Sequence, residues 1–148
     1  MNIALACDIR IMSTEAKMGQ TFSRRGLHPD WGGTYFLPRL IGVAKAAEMI
    51  WSGRMVSAQE CLELGIVSQL SEPDDLMKDV LAMAYTFADG PPVAIRLAKR
   101  AMYRNVDSSL EEALEFETFA QNVAAATKDA KEGIAAFVEK REPVFKGE

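Results

Sequence analysis

A helix-rich α/β fold is what this chain predicts, and three observations carry the expectation. Strand-like runs separated by turn residues crowd the first third, where Gly19, Gly26, Gly32, Gly33 and Gly42 make up half of the ten glycines. From Gly32 onward the apolar residues recur at three and four positions, the helical period. The strand-like runs are few and short, too short to form a stable sheet by themselves. They therefore read as the end of a larger α/β core, residues 1–70, followed by a helical region and tail over 71–148.

The elements follow in order. Ile9–Met12 and Lys17–Phe22 have the composition of short strands, with the polar turn Ser13-Thr14-Glu15 between them. A helix opens near Trp31–Gly32, and a second runs from Val43 to Ser52 and closes on Gly53. Ser57-Ala58-Gln59-Glu60 has the capping-box pattern, in which the serine accepts from the Glu60 amide and the glutamate reaches back. Gly65 ends that helix, and Ile66–Leu70 reads as one more strand. Helices then span 74–88 and 93–104, with Pro92 suited to a first helical turn. The longest covers 109–127, with Leu110, Leu114, Phe116, Phe119, Val123 and Ala124 on one broad face. Asp129 is expected to cap the last helix, which runs through Lys140, and 141–148 is a tail.

Composition removes several classes of function. A 49% apolar, 26% charged chain is that of a globular protein. No apolar run nears the roughly 20 residues a membrane span needs, and no signal peptide is legible. The formal charge is −4, with no basic cluster longer than a pair such as Lys99-Arg100, so no nucleic-acid footprint is expected. Two cysteines without a pairing pattern point to a reduced, cytoplasmic protein, with Cys7 and Cys61 as inert buried thiols. His28 is the single histidine, so no metal site is expected.

An ordered series of motifs then narrows the reading. Ile3-Ala4-Leu5-Ala6-Cys7-Asp8-Ile9-Arg10-Ile11 is followed by Ala16-Lys17-Met18-Gly19-Gln20 and by Gly26-Leu27-His28-Pro29-Asp30-Trp31-Gly32-Gly33-Thr34. Leu37-Pro38-Arg39-Leu40-Ile41-Gly42, Ser52-Gly53-Arg54 and Leu64-Gly65-Ile66-Val67 continue it, and Thr127–Gly133 with Ala136–Arg141 and Pro143–Gly147 complete it. The series resembles the enoyl-CoA hydratase/isomerase (crotonase) family over essentially the whole chain. The resemblance implies the end of a crotonase-like ββα spiral followed by a helical trimerisation domain. It implies an acyl-CoA substrate, with coenzyme A entering as part of that substrate and no separate cofactor. A homo-oligomer, trimer or dimer of trimers, is implied as the partner state. Met1 falls where relatives read Gly-Gly-Gly-Met-Asn. The expectation is therefore a start at an internal methionine or a deliberate truncation, with the oxyanion-hole amides in a preceding half.

The resemblance also nominates site residues. The family's two hydration glutamates fall at Asn2, five before Cys7, and at Phe22, two after Gln20. An amide and a phenyl ring exchange no proton at neutral pH, so two-carboxylate hydration is not expected. Asp30 falls where several isomerases of the family carry a carboxylate, and a single base above an enolate suffices to move a double bond. Partial burial beside Phe22, Leu27 and Trp31 would favour that role. The alternative is that Asp30 is an N-cap for the helix starting near Trp31. Asn2 either orients substrate or water or is a frayed polar end. Phe22 is an acyl-pocket wall or a core residue, and Trp31 lines the pocket or packs under the loop. Phe145 and Lys146 match a segment that in relatives reaches the adenine end of CoA; otherwise they lie in a solvated tail. His28 is read as a loop residue. The activity expected of the parent protein is acyl-CoA double-bond isomerisation. Enoyl-CoA hydration is one alternative, and a non-catalytic oligomerisation fragment is another.

Overall fold

The structure, a computed structural model, describes residues 1–148, which fall into two compact units, Met1–Leu81 and Ala82–Glu148. The division lies inside the helix Leu76–Ala88.

The first unit opens on α1 (Asn2–Leu5), a single turn that the strand-oriented reading of this end did not anticipate. Strands β1 (Ile11–Ser13) and β2 (Lys17–Gly19) follow, then a 3-10 turn at Ser23–Arg25. Helices α2 (Gly33–Ile41) and α3 (Val43–Ser52) meet at Gly42, whose φ of 78° halts one helix and lets the next start. Then come β3 (Met55–Ser57), α4 (Ala58–Glu63) and β4 (Gln69–Ser71). Helix α5 (Leu76–Ala88) crosses into the second unit.

The strands pair within the chain only as two separate two-stranded ladders of three residues each. β1 lies parallel to β4, with Ile11 opposite Gln69 and Ser13 opposite Ser71. β2 runs antiparallel to β3, with Lys17 opposite Ser57. β3 had no legible sequence signal: three residues are too few to show an alternation. Around these ladders sits one core of Leu5, Met12, Leu37, Ala46, Met49, Val56, Ala58, Cys61, Ile66 and Val67. Ala46 and Met49, three apart on α3, turn the same face inward. Burying a side chain such as Leu37 or Met49 fully contributes about 1.5–3 kcal/mol.

Two local expectations fail for physical reasons. Ser57 accepts from the Glu60 amide at 3.2 Å, but the Glu60 carboxylate binds Arg54 instead of closing the capping box. Arg54 also grips Glu48, and its guanidinium holds both carboxyls below their ordinary range. A charge-assisted pair outcompetes a neutral amide donor. Cys7 is exposed, contrary to its reading as buried; Cys61 is buried, and that burial pushes its thiol pKa up.

In the second unit α6 (Pro92–Asn105) begins with its proline in the first turn, as its sequence predicts. It packs on α7 (Leu110–Ala125), where Arg100 and Arg104 sit over the Phe116 ring at 5.5 and 4.9 Å. A full capping box starts α7, with Ser109 and Glu112 bonding each other's backbone. The cap of α8 (Lys128–Glu139) is Thr127, not Asp129; its side chain accepts from the Ala130 amide at 3.0 Å. No helix is long and apolar enough to cross a membrane.

Candidate active-site loop

Of the residues nominated in the first unit, Asp30 and Trp31 lie on the segment that joins the 3-10 turn to α2, Phe22 precedes that turn, and Asn2 reaches the segment from α1 through a hydrogen bond. Gly26 ends the turn with φ 66°, and the chain passes through Leu27, His28, Pro29 and Asp30 without regular structure. Two successive residues then take left-handed backbone, Trp31 at φ 51° and Gly32 at φ 77°, and α2 begins. A bulky residue in that region is strained by roughly 1–2 kcal/mol and persists only where its surroundings hold it.

Asp30 is exposed, so the partial burial expected for it is absent. It is not a helix cap either: Gly32 holds the N-cap position of α2 and no side chain caps that helix. The main-chain carbonyl of Asp30, in contrast, is engaged twice. Its carbonyl accepts from the Gly33 amide at 2.9 Å and from Asn2 Nδ2 at 2.8 Å. Its carboxylate stands free on a loop whose backbone is held.

Asn2 is not a frayed end. It is buried in α1, and besides donating to Asp30 it accepts from Gln20 Nε2 at 2.5 Å. Gln20 is wholly buried, and its Oε1 has no partner. Sequence reasoning passed over Gln20, although it stands in the Gly19-Gln20 motif.

Trp31, next to Asp30, is 70% exposed, which excludes packing beneath the loop. Phe22 is half-buried and helical (φ −60°, ψ −46°), not in a strand; β2 ends at Gly19. The Phe22 carbonyl accepts from the Arg25 and Leu27 amides at 2.9 and 3.1 Å, so its main chain forms the turn that launches the loop. His28 lies on that loop and, with Leu27, Pro29, Pro38, Ile50 and Trp51, lines an open cleft of about 540 Å³. Neither Asp30 nor Asn2 contributes to its walls. No cluster of three or more His, Cys, Asp or Glu side chains could hold a metal ion.

Phe145 and Lys146 belong to the second unit, on a largely exposed segment that is tethered by its backbone. Both oxygens of buried Asp129 accept from the tail, one from the Lys146 amide at 2.8 Å and the other from Gly147 at 2.9 Å. The Lys128 and Asp129 amides donate back to the Glu148 oxygen at 2.7 and 3.2 Å. Glu132 receives Arg141 and the Val144 amide, which together hold its carboxyl down to about 2. Asp129, read as a cap from sequence, is instead the post on which the chain end hangs. Phe145 packs near Gly133, and the Lys146 side chain remains exposed.

Paired short strands, a glycine-punctuated loop and a helical second unit make up the C-terminal portion of a crotonase-type fold. The family profile described as enoyl-CoA hydratase/isomerase matches residues 1–148, and the chain belongs to that family. Among its relatives are the short-chain-enoyl-CoA hydratase of Clostridium acetobutylicum, 37% identical over 94% of this chain and 53% of that protein, and a mitochondrial methylglutaconyl-CoA hydratase of Rattus norvegicus, 40% identical over 100% and 48%. The crystal structure of enoyl-CoA hydratase from Bacillus anthracis superposes with a TM-score of 0.93 at 42% identity, over 97% of this chain and 56% of that one. The chain spans about half the length of the curated relatives it matches.

Proposed function

We propose that the protein containing this chain is an acyl-CoA double-bond isomerase in which Asp30 carries the proton. The observation that supports the reading is the carboxylate count at three positions. At the two positions where family hydratases carry glutamates, this chain has a buried, doubly hydrogen-bonded amide at Asn2 and a phenyl ring at Phe22. Asp30 is the one proton-exchanging group left, and it is exposed on a restrained loop.

The chemistry needs no more than one base. A thioester carbonyl acidifies the C2–H of a 3-enoyl-CoA. Asp30 takes that proton, and the C–H electron pair passes into an enolate conjugated with the existing double bond. Returning the proton to C4 moves the double bond from C3=C4 to C2=C3, with no net change in protons or electrons. The enolate oxygen requires preorganised donors, which in the family are two backbone amides. Phe22 and Trp31 would flank the acyl chain, while Phe145 and Lys146 would meet the adenine end of CoA. Coenzyme A is part of the substrate, and the assembly is a homotrimer or a dimer of trimers.

Hydration is the second reading, favoured by the names of the relatives, which are hydratases. It would require a base and an acid from outside the Asn2 and Phe22 positions. In the third reading the chain has no chemistry and serves assembly alone. One substitution in the full-length protein tests these readings. Asp30→Asn is expected to lower conversion of a 3-enoyl-CoA to the 2-enoyl-CoA by about 10²-fold or more, the usual worth of a general base. Its melting temperature should stay unchanged, because the side chain caps nothing. Near-wild-type isomerisation by Asp30→Asn would overturn the reading.

A further inference from the structure

The buried amides beneath the loop form a chain with only one workable orientation. Asp30 contributes a carbonyl, which can only accept, so Asn2 must turn its NH₂ toward it. The Asn2 oxygen then faces Gln20, which must present its own NH₂. The Asp30 carbonyl thereby fixes the orientation of both amides. Just after this anchored carbonyl the backbone takes its two left-handed residues, Trp31 and Gly32. Gly33 lies so close that a Cβ there would be 2.6 Å from Asn2 Nδ2, so this turn of chain lies directly on the amide.

We infer that Asn2, backed by Gln20, is a positioning residue for Asp30: its amide holds the Asp30 carbonyl and so aims the carboxylate and the neighbouring Trp31. The inference rests on the proposed role of Asp30 as proton carrier. It assigns Asn2 a task unlike that of a general acid or base at the same position. A carboxylate there would set an acceptor against the Asp30 carbonyl and lose the anchor. A loop left free to shift by about 1 Å misplaces the base, which can lower rate about a hundredfold without removing any reacting group.

A mutant cycle in the full-length protein, with a 3-enoyl-CoA as substrate, tests this. Asn2→Asp has the same size and at neutral pH replaces the donor with an acceptor. Asn2→Ala removes the donor without burying a charge, and so serves if Asn2→Asp fails to fold; thermal melts report folding for both. Each should lower kcat by about ten- to a hundredfold with KM changed little. In an Asp30→Asn background the same substitutions should cause no further loss, because the group they aim is gone. Equal losses in both backgrounds would overturn the inference, since Asn2 would then act independently of Asp30. Full activity of Asn2→Ala beside a crippled Asp30→Asn would also overturn it while leaving the role of Asp30 intact. An active Asp30→Asn would instead remove the reading on which the inference stands.

Discussion

The two units use the same helical material in opposite ways. Met1–Leu81 encloses ten of the buried hydrophobic residues, among them Leu37, Met49, Val56 and Ile66, with no accessible surface. Ala82–Glu148 encloses two, Phe116 and Ala136. Its apolar residues are mostly outside: Leu110 is 75% exposed, Phe137 85% and Val138 73%. Order in the first unit comes from close packing, whereas in the second much of it comes from helix caps and the tail's hydrogen bonds to Asp129 and Glu132. The site follows the same division. The loop that carries Asp30 is built on the packed unit, while exposed apolar residues occur on both, Trp51 and Val43 in the first and Leu110 and Phe137 in the second.

The largest test of this contrast is a pair of truncations. Met49→Ala should destabilise the first unit by about 2–5 kcal/mol, the cost of a buried side chain and the cavity it leaves. Phe119→Ala, on a half-exposed face, should change the unfolding of the separated chain by less than about 0.5 kcal/mol. Urea titration measures both, and equal effects would erase the distinction between the units. Next in size is self-association. The chain should sediment as an oligomer at micromolar concentration, and Leu114→Glu with Phe119→Glu should weaken that association at least about tenfold, roughly 1.4 kcal/mol. A stable wild-type monomer would mean that the exposed face serves no partner copy.

The smallest effect is a pH response at the tail. Arg141 and the Val144 amide depress the Glu132 carboxyl to about 2, against an unfolded value near 4.3. A depressed acid adds stability above its unfolded pKa and loses it as pH falls through the folded one. The Val144 amide should therefore be protected from hydrogen exchange at pH 5 and above and lose protection as pH falls from about 4.3 toward 2. The change is small because the ion pair is exposed to solvent. Protection that survives pH 2 would show that the tail is held by other contacts.

Legibility from sequence followed the range of the interactions. Helices α3 and α6 were readable from Gly53 and Pro92, because a cap or a fixed φ acts within one turn. Strand β3 was not, since its identity depends on β2, far away along the chain. Asp30 was nominated through the family resemblance, which assigns a carboxylate to its place in the Gly26–Thr34 motif. Asn2 was read as a frayed end or a substrate contact, because its partners Gln20 and Asp30 lie 18 and 28 positions distant. Asp129 was misread as a cap for a related reason. An Asp early in a helix satisfies the local rule, and nothing nearby reveals that Lys146 and Gly147 return to it.

By itself, the sequence determined the helical character, the turn positions, the family resemblance and the absence of carboxylates at positions 2 and 22. These follow from residue chemistry and short-range periodicity. Tertiary structure alone decided which polar groups face each other. It gave Glu60 to Arg54 rather than to a capping box and Asn2 to the Asp30 carbonyl. It also exposed Cys7 and Trp31, and hung the chain's end on Asp129. For the buried Asn2 and Asp129 the physical reason is shared. A buried hydrogen-bonding group must find a partner wherever the fold brings one, and distance along the chain does not limit that choice.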